Sequence, residues 1–276
     1  MDKLRFGTAG IPITTEDRNT LNGVKQVRNL GLDAMELEFV HSVNVSDAMA
    51  PNVKKIAEDN DVVLTCHGQY FVNLNALEKE KKEASIQRIL KAARVLQKCG
   101  AYSLTYHMAY YMKQDPKIVY ETVKKNMKRI LEVFKQEGIK LWLRPEYTGK
   151  QSQFGDLKEV IKISQELDQV LPCIDYGHYH ARYGGGNNDI KAFRTLLEEM
   201  EKGLGKEALK NMHIQIAGIN YTEKGERNHL NLKESDLNYK DILKTWKEFN
   251  IKGVVIAETP NIEGDALLLQ KMYKSL

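Results

Sequence analysis

No apolar run in this 276-residue chain approaches the roughly 18 residues that a membrane-spanning helix requires. The opening segment MDKLRFGTAG lacks the hydrophobic region of a signal peptide, so a cytoplasmic chain with no membrane partner is expected. Cysteine is equally scarce. Cys66, Cys99 and Cys173 are too few and too scattered for a disulfide framework or a cysteine-based zinc site, and two of them sit inside apolar segments that suit buried thiols. The excess of one charge sign over the other is also small: 41 Lys and Arg against 37 Asp and Glu leave a net +4, which permits a polyanionic partner without requiring one. Finally, no Pro/Ser-rich linker, low-complexity tract or composition shift marks a boundary, so a single domain over residues 1–276 is expected. The one loop-like stretch is Ala181–Asn188, ARYGGGNN, which reads as a mobile loop.

What is present is an alternation of short β-branched or apolar runs with longer amphipathic stretches, the pattern of repeated βα units. The predicted strands are Leu4–Gly7, Ala34–Phe39, Val62–Cys66, Ser103–Tyr106, Lys140–Arg144, Val170–Ile174, Met212–Gln215 and Gly253–Ala257. Between them, Glu80–Cys99 carries Ile86, Ile89, Leu90, Ala93 and Leu96 at helical spacing, and Gly100 supplies a stop signal that recurs at Gly31 and Gly138. Eight such units at a length near the ~250 residues typical of the architecture predict a (β/α)8 TIM barrel.

In that barrel, catalytic groups come from the carboxyl ends of the strands. His67, His107, His178, His180, His213 and His229 fall at or just after predicted strand ends, as do Glu146, Asp175 and Glu258. Imidazole and carboxylate together form the usual ligand set for zinc and related divalent ions. His67 and His107 leave neighbouring strands about 5 Å apart, close enough to share an ion. Asp175 and Glu258 each end an apolar run, where an ionised carboxylate without a cation or hydrogen-bond donor is unfavourable. The segment GERNHLNL places Glu226, Asn228 and His229 in a polar loop.

With these segments in order, the sequence resembles the endonuclease IV family of apurinic/apyrimidinic endonucleases, within the xylose-isomerase-like barrels, over nearly its whole length. The pieces that carry the resemblance are CHGQYFVNL around His67, CIDYGH around Asp175 and His178, MHIQ around His213, and AETP around Glu258. The resemblance implies a two- or three-zinc centre, with manganese or magnesium as alternatives. His67, His107 and Glu146 would hold the first ion, and Glu146, Asp175, His213 and Glu258 the second. His178 would hold the third with Glu226 and His229. It further implies hydrolysis of a DNA phosphodiester 5′ to an abasic site, with Glu146 as bridging ligand and Glu258 as the second catalytic carboxylate. Damaged double-stranded DNA would be the partner of a monomeric chain, with Tyr70 and Phe71 entering the duplex as a wedge.

Three departures from the family pattern stand out. The third-ion motif, Asp-x-His in the family, is replaced by Glu226 and a histidine three positions on, with Asn228 where the histidine is expected. The fifth strand runs Arg144-Pro145-Glu146-Tyr147-Thr148 where the family has Glu-Asn-Thr. The loop VHSVNVSDAMAPN lacks the arginine that would fill the gap in the duplex. Two rival readings accompany these departures. A sugar isomerase or epimerase on the same barrel would use Glu146, Asp175, His213 and Glu258 on one ion. A non-catalytic nucleic-acid-binding relative would keep the barrel without efficient chemistry.

Overall fold

Eight parallel strands close a barrel in a computed structural model that describes residues 1–276. They are β1 (Leu4–Ala9), β2 (Ala34–Glu38), β3 (Val63–His67), β4 (Ser103–Tyr106), β5 (Trp142–Pro145), β6 (Cys173–Asp175), β7 (Met212–Ile216) and β8 (Gly253–Ala257). Neighbours in sequence are neighbours in space, and β1 pairs with β8. The last seam, between β5 and β6, is held by the parallel bridges Leu143↔Val170 and Glu146↔Cys173. The architecture is the TIM barrel that the alternating pattern predicts.

Local chemistry explains the elements. Lys79–Cys99 is a helix that buries Ile86, Ile89, Leu90, Ala93 and Leu96, and it ends on Gly100 in the left-handed conformation (φ 68). Leu157–Glu166 starts on a reciprocal capping box between Asp156 and Glu159. The strands are buried on both faces, as a parallel sheet covered by helices requires. One continuous core of 67 residues joins helices to barrel. No helix is long and apolar enough to cross a membrane.

Three differences from the sequence-based expectations concern the rim. The fifth and sixth strands begin two to three residues later than predicted, which carries β5 to Pro145 and β6 to Asp175 itself. GERNHL is not an irregular loop: Gly225–Leu230 pairs antiparallel with Gly218–Thr222 in a hairpin that rises from the end of β7. Ala181–Asn188 is tied down by its own asparagines. Asn187 Nδ2 donates to the Tyr179 carbonyl (3.2 Å) and Asn188 Nδ2 to the Asp236 carbonyl (2.7 Å), while Asn188 Oδ1 accepts from Asn238 N (2.7 Å).

Candidate metal centre

Glu146 is the hub. It lies just past β5, is fully buried, and meets three imidazoles: His107 Nε2 at 2.9 Å, His178 Nδ1 at 3.0 Å and His67 Nε2 at 3.3 Å. His67 ends β3, and its Nδ1 donates to the Gly68 carbonyl (2.7 Å). That bond fixes the tautomer and leaves the Nε2 lone pair facing inward, the arrangement that backing carbonyls give metal-ligating histidines. Gln153 Nε2 donates to His107 Nδ1 (3.3 Å), which orients that ring and leaves its Nε2 as the donor toward Glu146 Oε1 (2.9 Å), the opposite tautomer to His67.

Asp175 and His178 are held together by a helix start. Asp175 is the N-cap of the short helix Tyr176–Ala181, and its Oδ1 accepts from His178 N (2.7 Å). The Asp-x-x-His spacing is thus the N-cap-to-N3 spacing, and it places the His178 ring against Glu146. Asp175 Oδ2 is buried and has no hydrogen-bond partner.

The third group is built by a β-bulge. Pairing runs Asn220↔Asn228 and then Tyr221↔Glu226, so Arg227 has no partner and the register shifts at this point. In a regular strand, residues three apart point to opposite faces. The extra residue resets the alternation, and Glu226 and His229 both face His178. His178 Nε2 lies 3.3 Å from Glu226 Oε2, and His229 Nε2 lies 4.0 Å from Glu226 Oε1. His229 Nδ1 donates to the Glu258 carbonyl (2.8 Å), which again turns Nε2 inward. The hairpin is docked by a glycine contact. Gly225, at φ 103, would place a Cβ only 2.2 Å from the Gly149 carbonyl oxygen, and Glu226 N donates to that same carbonyl (3.0 Å).

His213 does not join these residues. On β7 it pairs in register with Cys173, whereas Gln215 pairs with Asp175, so His213 sits one layer deeper in the barrel. Its Nδ1 meets Ser103 Oγ at 2.9 Å and its Nε2 lies 3.0 Å from Glu36 Oε2. Gln215 reaches the rim in its place, donating through Nε2 to Glu36 Oε1 (2.8 Å) and Glu258 Oε1 (2.7 Å). Glu258 consequently groups with Glu36 and Glu38 of β2, and Asp175 groups with Glu146 and His178. The four residues expected for the second ion are therefore divided between two neighbouring groups. Glu36, Glu38, Gln215 and Gln153 were missed by sequence reasoning. The signal for the first two lies in AMELEFV, where two glutamates alternate with apolar residues and so share one face of a buried strand.

The electrostatics of the cluster are dominated by burial and by its carboxylate–imidazole pairs. Burial pushes the Glu146 carboxyl up, but His107, His178 and His67 outweigh it and hold it well below the usual carboxylate range. Burial works against protonation of His67 and His178, yet carboxylates raise both well above the usual histidine value: chiefly Glu146 for His67, and Asp175 with Glu146 for His178. Burial and the neighbouring carboxylates push Asp175 upward, Glu258 well upward, and Glu38 to about 8. Carboxylates and imidazoles raised together mark a crowded cluster whose negative charge outweighs its positive. The orphaned Asp175 oxygen, the inward-facing Nε2 atoms and the mixed nitrogen and oxygen donors fit divalent cations of the zinc or manganese type.

The groups open into a cavity of about 580 Å³ whose lining also includes Lys150 and Tyr70. Tyr70 is 53% exposed and its neighbour in sequence Phe71 63%. His180 lies outside the site: it is buried, and its Nε2 meets Asp236 Oδ1 at 3.0 Å.

A protein of Methanocaldococcus jannaschii, described as uncharacterized, is 46% identical over 273 residues, which covers 99% of this chain and 98% of that one. A probable endonuclease 4 of Mycoplasma pneumoniae is 22% identical over 72% of this chain and 68% of its own length. Among solved structures, endonuclease IV of Thermus thermophilus superimposes with a TM-score of 0.74 at 16% identity, covering 97% of this chain and 98% of that one. A D-tagatose 3-epimerase-like protein superimposes with 0.72 at 17% identity, covering 97% and 96%. Likeness at such identities speaks for the shared barrel alone. A family model described as xylose isomerase-like TIM barrel matches residues 24–276, and the chain belongs to that family.

Proposed function

We propose that this protein is a metal-dependent endonuclease that hydrolyses the DNA phosphodiester 5′ to an abasic site. The observation that carries the reading is the convergence of three imidazoles on Glu146, with Glu226 and His229 added to His178 by the bulged hairpin. Such a constellation offers more imidazoles than a single ion needs. The first ion would be held by His67, His107 and Glu146, a second by Glu146 and Asp175 with Glu258 reaching in from the adjoining carboxylate group, and a third by His178, Glu226 and His229. Divalent cations held by these residues would supply Lewis-acid activation of water and neutralise phosphate charge.

The chain's own residues supply the rest. Glu146 acts as a shared carboxylate rather than a general base, because the rings around it occupy both its oxygens. Lys150 in the cavity lining provides positive charge where a phosphate would enter. Tyr70 lines the cavity and is exposed, as is Phe71 next to it in the chain, and such side chains could wedge into a duplex weakened by a missing base. His213 faces Glu36 and Ser103, which removes it equally from the second ion of this reading and from the single ion of the epimerase alternative. What favours the nuclease is the His67 and His107 pair on Glu146, which a one-ion epimerase site does not need.

The deciding experiment counts bound metals and incubates the protein with an abasic-site duplex beside an undamaged control. Incision of the abasic strand alone, abolished in Glu258→Gln with the fold retained, is the expected result. Full metal loading without incision would overturn the reading.

A further inference from the structure

Glu36 and Glu38 on β2 belong to no part of the expected ligand set, yet both point into the barrel. Glu38 pairs in register with His67 and Glu36 with Thr65, so Glu38 stands level with the imidazole-rich centre and Glu36 one layer beneath it. Each of Glu36, Glu38 and Glu258 brings an oxygen within 4.8 Å of the other two. No lysine or arginine pairs with any of them. Glu38 Oε1 is buried and has no hydrogen-bond partner. Gln215 divides its amide protons between Glu36 and Glu258, which fixes their separation while leaving each carboxylate lone pairs to share.

A second observation points the same way. His213 is fully buried, and its Nε2 is aimed at this group, 3.0 Å from Glu36 Oε2, but outside hydrogen-bonding geometry and with no other partner. Ligating carboxylates are ordinarily backed by a hydrogen-bonding group, and His213 is the group that stands behind Glu36, within contact distance of it.

We propose that Glu36, Glu38 and Glu258 form an all-carboxylate cation site beside the imidazole-rich centre, suited to a hard divalent ion of the Mg2+ and Mn2+ class. Three oxygens without nitrogen or sulfur favour such ions, whereas the imidazoles around Glu146 favour zinc. The rim would then hold two kinds of cation sorted by ligand chemistry. The inference rests on the metal-centre reading only through Glu258, which both share.

The test uses the full chain, stripped with a chelator, reloaded with zinc and assayed for zinc content. It is then titrated with Mn2+ while the electron paramagnetic resonance of free Mn2+ is followed. The expected result is one Mn2+ bound per chain with zinc retained, and binding weakened more than tenfold in Glu38→Gln, whose zinc content and circular dichroism match the parent. Displacement of zinc by Mn2+ one for one, absence of Mn2+ binding to the zinc-loaded parent, or unchanged binding in Glu38→Gln would each overturn the proposal. The parent titration decides by itself if the variant fails to fold. Because no arm reads incision, an inactive protein that still takes Mn2+ beside zinc would sink the nuclease reading and leave this one standing.

Discussion

Gly149→Ala is the sharpest probe of how the third ligand group is assembled. A Cβ at this position would lie 2.7 Å from His178 Cδ2, 2.8 Å from Glu226 Cβ and 3.0 Å from Glu226 Oε2. The backbone of Gly149 is not in the left-handed region, so alanine introduces no torsional strain and the effect is purely steric. Carbon atoms prefer separations of about 3.5–4.0 Å, and the hairpin must therefore retreat by close to 1 Å. Overpacking of this kind typically costs about 1–3 kcal/mol. At about 2–4 °C per kcal/mol for a large domain, the metal-free protein should melt roughly 2–12 °C lower.

The larger consequence is for metal. His178 and Glu226, now 3.3 Å apart, would separate, and the group with His229 should lose its ion while His67, His107 and Glu146 keep theirs. A site filled at 100 times its dissociation constant adds about 2.7 kcal/mol to stability, so the melting shift on adding zinc should shrink by about one site's worth. Differential scanning fluorimetry in chelator and in zinc, together with metal analysis, reads both effects. A variant with the parent's zinc content and an unchanged melting temperature would refute the account of hairpin docking.

Chelation of the parent should lower its melting temperature, and zinc should restore it; a melting curve indifferent to chelator would remove the basis for a metal centre. Tyr70→Ala with Phe71→Ala should leave stability nearly unchanged, since both side chains are mostly exposed. The double variant should weaken abasic-duplex binding by about 1–3 kcal/mol per lost ring contact, measurable by fluorescence anisotropy. In the metal-free protein, burial acts to raise the Glu226 carboxyl but His178 lowers it to about 2 from the ordinary 4.5. A group with a depressed folded-state pKa contributes stability above the unfolded value and loses it as pH falls through the folded one. Glu226→Gln should therefore flatten the acid side of the stability profile between about pH 4.5 and 2, and a profile parallel to the parent's would contradict the pairing with His178.

The sequence by itself determined the repeat of eight βα units, the strand ends as the place for chemistry, and the Asp175–His178 pair, because each of these rests on local periodicity or on capping geometry within three residues. It could not determine depth or facing. His213 and Gln215 share one face of β7, and which of them meets the rim depends on the stagger of that strand against β6 and β8, a property of pairing between distant segments. Glu226 and His229, three apart, converge only because Arg227 bulges out against Gly218–Thr222, and the hairpin is placed by the contact of Gly225 with Gly149, far upstream in the chain. Glu36 and Glu38, near one end of the sequence, meet Glu258, near the other, only once β1 has closed against β8. Local order names the candidate donors; the shear and closure of the barrel decide which of them meet.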